Sequence, residues 1–259
     1  MYRQAPEFTI QSMNRFAGLA SCMTILLVFA GAMHAKDLHF AVLVSANAEW
    51  RVVKPLFGTA KIETSPYGEY FFAGVGRERV LFFHGGWGKV AAAGSAQYVI
   101  DRFHPGRLIN LGTCGGVDGR IKRFDVVILE KVVIYDIAEA MGDSKEAIAD
   151  YSTTLPLPAR LPVPVVKATM YSADRDLTPA GLRELDPSYH PVVADWESGA
   201  IAWVAQRNGT PVLILRGVTD LVSPDTAEAQ GNLQLFQDNT VRVMRNLVGD
   251  LPKWLAAWR

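Results

Sequence analysis

Four apolar residues, Val212 to Leu215, run without a break into Arg216 and then Asp220. An uninterrupted apolar run of this length reads as a strand buried on both faces, the kind found in sheets covered by helices. Charge at the carboxyl end of such a strand belongs to a site more often than to a core, because ligands of open α/β sheets sit outside those ends. Just upstream, Asp195 and Glu197 stand at the mouth of an apolar helix. Carboxylates there also serve as a plain helix start, since they favour the positive end of the helix dipole.

The remaining chain alternates strand and helix. Candidate strands are 38–45, 69–75, 79–84, 107–112, 125–134, 168–173, 191–194 and 211–217; candidate helices are 48–57, 88–103, 177–185, 197–208 and 231–256. This alternation predicts an α/β fold with a parallel or mixed sheet. The proline-rich stretch 155–164 breaks both periodicities and reads as a surface loop. Trp254 and Trp258, late in the last helix, read as core or subunit-packing groups.

Two glycine-rich segments add chemistry. His84 to Ala93 (HGGWGKVAAA) reads as a glycine turn opening a small-residue helix, and Leu108 to Gly116 (LINLGTCGG) as an apolar strand breaking into a second glycine turn. Glycines let backbone approach a ligand and free N–H groups for its polar atoms, though they also build ordinary loops. Neither segment is a GxGxxG or a P-loop.

Taken in order, these pieces resemble the nucleoside phosphorylase and nucleosidase superfamily, and most of all the 5'-methylthioadenosine/S-adenosylhomocysteine nucleosidases. The matching segments are Phe40 to Glu49 (FAVLVSANAE), GWGKVAAA, INLGTCGG followed by Arg123 to Ile128, the Asp195-Trp196-Glu197 helix start, and Arg216 to Asp220 (RGVTD), spanning roughly residues 38–240. The resemblance implies a three-layer α/β/α phosphorylase-type fold around a central twisted mixed sheet, N-glycosidic bond cleavage without a cofactor, a small nucleoside substrate, and a homodimer whose partner closes the pocket.

It also implies roles. Asp220 matches the acid that protonates the departing purine at N7, and its carboxyl must therefore hold a proton near neutral pH. Glu49, with Arg216 and Glu197, matches the group that holds and activates the attacking water; a solvated first-turn glutamate is the plain alternative for Glu49. Glu197 matches the grip on the ribose hydroxyls, and Trp196 stands where bacterial relatives carry methionine. Thr113, Cys114 and Gly115 are expected to contact sugar and base from a turn. Asp174 and Leu177 match substrate-binding positions, but between them Asp176 replaces the aromatic that stacks on adenine, with Trp87 or Phe236 as candidate substitutes. Phosphorylases of the superfamily grip phosphate with arginines; one of those positions is Asn110 here, and the first-strand loop has no arginine before Arg51. Phosphate calls for cationic donors, so water is the expected acceptor. A phosphorylase and a non-catalytic nucleoside-binding or storage relative are the alternatives.

Composition excludes several classes. The counts of 26 basic and 26 acidic residues leave no electrostatic footprint for nucleic acid. The five histidines are scattered and no Cys/His cluster has metal-ligand spacing, which predicts no metal site. Residues 1–35 read as a secretory signal, with Met13-Asn14-Arg15 as its charged start, 16–32 as its apolar stretch, and Ala30-Gly31-Ala32 as the cleavage box with Ala35 as an alternative; residues 1–12 then read as an over-long start. An uncleaved membrane anchor is the alternative. Cleavage would leave residues 36–259 as one nucleosidase domain outside the cytoplasm, with no membrane attachment and with Cys114 as its single thiol.

Overall fold

A computed structural model describes residues 38–259. The signal-like segment and its cleavage box lie outside the described residues. The described chain forms a ten-stranded mixed sheet flanked by helices.

β1 (Phe40–Val44) is apolar at every position and fully buried, as a strand covered on both faces must be. It pairs in parallel with β4 (Glu78–His84) and β5 (Arg107–Val117). β3 (Glu69–Val75) and the short β2 (Glu63–Thr64) extend this edge antiparallel. On the other side, β5 pairs with β9 (Val193–Asp195) and with β10 (Val212–Val222). β10 in turn pairs with β6 (Val126–Ile134), β6 with β8 (Val166–Ser172), and β8 with β9. Strands β5, β10, β6, β8 and β9 therefore close a ring, and a two-residue strand β7 (Thr153–Thr154) hangs on β6.

Two layers of helices cover the sheet. α2 (Gly88–Phe103) and α5 (Ser198–Arg207) pack one face with Ala92, Ala96, Val99, Ala200, Ala202, Val204 and Ala205, small side chains that allow close helix–sheet approach. α1 (Asn47–Val53) and α6 (Leu233–Ala257) pack the other through Trp50, Val243, Met244 and Leu247. Trp254 and Trp258 belong to this second core, as core groups. Two further helices, α3 (Ser144–Asp150) and α4 (Pro179–Tyr189), flank the ring.

One expectation is overturned. The LINLGTCGG segment does not break into a turn: β5 continues through it to Val117, paired with β9 and β10. None of Gly112, Gly115 and Gly116 has a positive φ. What two of these glycines supply is room. A Cβ at Gly112 would lie 1.9 Å from Arg216 Nη1, and one at Gly116 2.6 Å from Ile121 Cγ2. The turn expected at 84–88 does form, with Gly86 and Gly88 at φ of 78° and 76°. β2, α3 and β7 carry no sequence expectation because each is too short to show a period.

Candidate active site

The carboxyl ends of β1, β5, β9 and β10 open into one cavity of about 670 Å³. Glu49, Thr113, Cys114, Gly115, Leu177, Trp196, Glu197 and Asp220 all line it. Arg216 does not reach the lining but stands directly behind it, with 0% exposure. Asp174 is not part of the wall. Its carboxylate accepts from the Lys89 backbone N–H at 2.7 Å and lies 3.8 Å from Lys89 Nζ, so it ties the start of α2 to the segment after β8.

Arg216 organises one side of the cavity. Its Nη2 lies 3.0 Å from Asp195 Oδ2 and 3.9 Å from Glu197 Oε2, and its Nη1 lies 3.8 Å from Glu49 Oε1. Nε donates to Ser198 Oγ at 3.0 Å and Nη2 to Asn110 Oδ1 at 2.7 Å. Burial opposes the guanidinium charge, but Asp195, Glu49 and Glu197 around it hold its pKa above the ordinary arginine value. Asp195 thus serves both readings of the helix start: it accepts from Ser198 N at 3.1 Å, as a capping carboxylate would, and it pairs with the arginine. Asn110, donating to Leu43 O at 3.0 Å, is a bracket for Arg216 and not a cavity group.

Glu49 is 1% exposed, which sets aside the solvated alternative. Its Oε1 accepts from Thr113 N at 2.6 Å and Thr113 Oγ1 at 2.8 Å; its Oε2 accepts from Ala46 N at 3.1 Å, the backward reach of a third-position helix glutamate. Oε2 therefore keeps acceptor capacity for a further hydrogen bond in the cavity.

Glu197 differs. Three carboxylates surround one guanidinium, and Glu197 is the most distant of them, with the Gly88 N–H at 3.2 Å as its hydrogen-bond donor. Burial first, and then the charges of Asp195 and Glu49, push its pKa up to about 8 against the partial relief of Arg216. The raised value carries a stability consequence with a definite sign. A carboxyl whose folded pKa exceeds its unfolded one contributes stability that is complete below the ordinary value of 4.5 and disappears as pH rises through about 8. Glu197→Gln, which keeps the neutral shape, is expected to leave Tm nearly unchanged at pH 5 and raise it at pH 9. Equal Tm shifts at the two pH values would show that Glu197 is ionised throughout.

Asp220 lies across the cavity, opposite Gly115 in the β5–β10 pairing, where β10 bulges between Val218 and Asp220. Thr219 Oγ1 donates to its Oδ1 at 2.7 Å. Burial is the main cause holding its pKa above the usual aspartate range, aided by Glu228 and Asp176 and opposed by the Thr219 hydrogen bond. Burial also pushes the Cys114 thiol well above its normal value, so this side chain stays neutral. No cluster of ligating residues capable of holding a metal occurs among the described residues.

Residues 41–249 match the phosphorylase superfamily. The chain belongs to that superfamily. It is 26% identical over 220 residues to the 5'-methylthioadenosine/S-adenosylhomocysteine nucleosidase of Marinomonas sp. (strain MWYL1), covering 78% of this chain and 94% of that one. Among solved structures, the Neisseria meningitidis 5'-methylthioadenosine/S-adenosylhomocysteine nucleosidase in complex with methylthio-immucillin-A superposes with a TM-score of 0.69 at 20% identity, covering 84% of this chain and 98% of that one. Futalosine hydrolase of Helicobacter pylori gives 0.72 at 14%, covering 85% and 98%. These structures share the phosphorylase-type α/β fold expected from the sequence.

Within this superfamily chain, the role of one residue and one segment of the cavity wall escaped the sequence reading of the site. Asp195 had only its place at a helix start to mark it; its pairing with a strand residue is a tertiary fact. The segment Ala227 to Leu233, which closes one side of the cavity, has no periodicity to signal it. It is held by Glu228, which pairs with Arg123 and accepts from Leu221 N at 2.8 Å.

Proposed function

We propose that the chain is a purine nucleoside N-ribosyl hydrolase, acting on nucleosides of the 5'-methylthioadenosine/S-adenosylhomocysteine type and releasing the free base and a free (thio)ribose. The observation that carries this reading is a pair of carboxyl groups in different surroundings that line one cavity. Asp220, buried and biased toward its acid form, faces a cluster in which Glu49 is fixed by three hydrogen bonds. Breaking an N-glycosidic bond needs a proton at the departing base and a polarised water at C1', where oxocarbenium character develops. Asp220 supplies the first. Glu49 orients the water through Oε2 and takes its proton, while Glu197 receives the ribose hydroxyls.

Water is favoured over phosphate as the acceptor. Arg175 is the single basic residue in the cavity wall, against Glu49, Asp176, Asp195, Glu197 and Asp220. Arg216 is fully buried and committed to its carboxylates, so a phosphate dianion would meet a largely acidic surface. Incubating the protein with 5'-methylthioadenosine, S-adenosylhomocysteine, futalosine, adenosine and inosine, with and without phosphate, tests this directly. Free base and free sugar are expected, at a rate indifferent to phosphate; formation of a sugar 1-phosphate would overturn the proposal. A retained proton donor also separates an enzyme from a binding protein, which needs the ribose grip but not Asp220.

A second copy of the chain closing the cavity mouth is part of the same proposal. Trp87, in the cavity wall, is 60% exposed and Val90, one turn on, 87% exposed. Light scattering is expected to give twice the chain mass; a monomer at micromolar concentration would rule the closure out.

A further inference from the structure

Two residues at positions where the resemblance to nucleosidases implies other side chains touch each other. Trp196 Nε1 donates to Asp176 Oδ1 at 3.2 Å, and both side chains line the cavity. The backbone of Trp196 is fixed on both sides, because its neighbours Asp195 and Glu197 are buried and held by Arg216, Ser198 and Gly88. The remaining freedom is in the indole, and the hydrogen bond to Asp176 removes it. An indole N–H lies in the ring plane, so this bond ties the edge of the ring to the Arg175–Thr178 segment, which also lines the cavity. Asp176 in turn lies close enough to Asp220 for its charge to act there. Trp196 and Asp176 thus line the same cavity as Glu197 and Asp220, where a nucleoside would bind.

We propose that Asp176 is a positioning residue that holds the Trp196 indole as the stacking wall for a flat heteroaromatic base, so that the aromatic surface of the pocket comes from position 196 and not 176. The inference rests on the nucleosidase reading for its choice of ligand. Its physical basis is a hydrogen bond on the ring edge, the indole N–H donating to Asp176 Oδ1 at 3.2 Å, between two residues that both line the cavity.

Equilibrium binding of free purines (adenine, hypoxanthine and guanine), followed by tryptophan fluorescence, tests it without requiring turnover. At least one base should quench the emission of the unaltered protein. The quench should survive in Trp87→Phe and vanish in Trp196→Phe. Asp176→Ala should weaken base binding about 10-fold, the scale of a lost base–aromatic stack. Asp176→Asn should stay within about 3-fold of the unaltered protein, because its amide oxygen still accepts the indole N–H. A quench that persists in Trp196→Phe, or unchanged binding in Asp176→Ala, would overturn the proposal. So would equal losses in Asp176→Asn and Asp176→Ala, because the carboxylate would then be acting on the base itself. The nucleoside hydrolysis assay reads separately. Absent hydrolysis with the expected quench pattern removes the nucleosidase reading alone, while hydrolysis with a quench independent of Trp196 removes this one alone.

Discussion

Asp220→Asn is expected to lower kcat by about 10²- to 10⁴-fold, the range for loss of a positioned general acid. Asparagine keeps the size of the side chain and can still meet Thr219 Oγ1, which donates to Asp220 at 2.7 Å in the native chain. It cannot release a proton to a leaving base. KM should change little, since the proposed hydroxyl grip is Glu197, a separate residue of the cavity wall. The pH profile gives the second half of the test. An acid works only while protonated, so activity should fall as pH rises through the elevated Asp220 pKa, and that limb should be missing from the residual activity of the variant. Glu197→Gln makes the contrast: with one acceptor turned into a donor, KM should rise as well. Equal, minor losses in the two variants would show that the acid lies elsewhere, with Asp176, which also lines the cavity, the first residue to examine.

The largest stability effect is expected from Arg216→Met, a substitution of similar length that removes the single cation from among Asp195, Glu49 and Glu197. Breaking a buried ion pair by deleting one partner costs about 3–5 kcal/mol, because the remaining charge is left uncompensated. Here the loss should depend on pH in a stated direction. Without the guanidinium the carboxylates bind protons more tightly in the folded chain, so the variant should recover part of its stability in acid and lose most at alkaline pH. Urea unfolding at pH 5 and pH 8 measures both. A loss below about 1 kcal/mol at pH 8 would mean that solvent reaches the three carboxylates once the arginine is gone.

Much of the site could be read before any coordinates because it is local in the chain. Arg216 and Asp220 sit on one strand, Asp195 and Glu197 on one helix start, and each pair is visible as charge interrupting an apolar period. Trp254, in the last helix, and Trp258, capping its end, were legible as packing groups from their large apolar rings. Asp174 shows where such reading fails. Its position in the motif is right, yet its carboxylate faces Lys89 and not the cavity, because the left-handed Gly88 brings the α2 backbone within hydrogen-bond reach.

The sequence alone determined the alternation of buried strands and helices, the superfamily, and the residue types available for proton donation and ribose binding. These depend on side-chain period and identity, which are properties of neighbouring residues. Only the tertiary structure decided what those residues are chemically. Glycine at position 112 has meaning because Arg216 occupies the space its side chain would fill. Glu49 and Glu197 are the same residue type, yet one is held by three donors and the other is pushed to a pKa of about 8. The donors each carboxylate meets differ, three for Glu49 against the Gly88 N–H for Glu197, and they come within reach only when the β1–α1 junction, β5, β9 and the start of α2 come together.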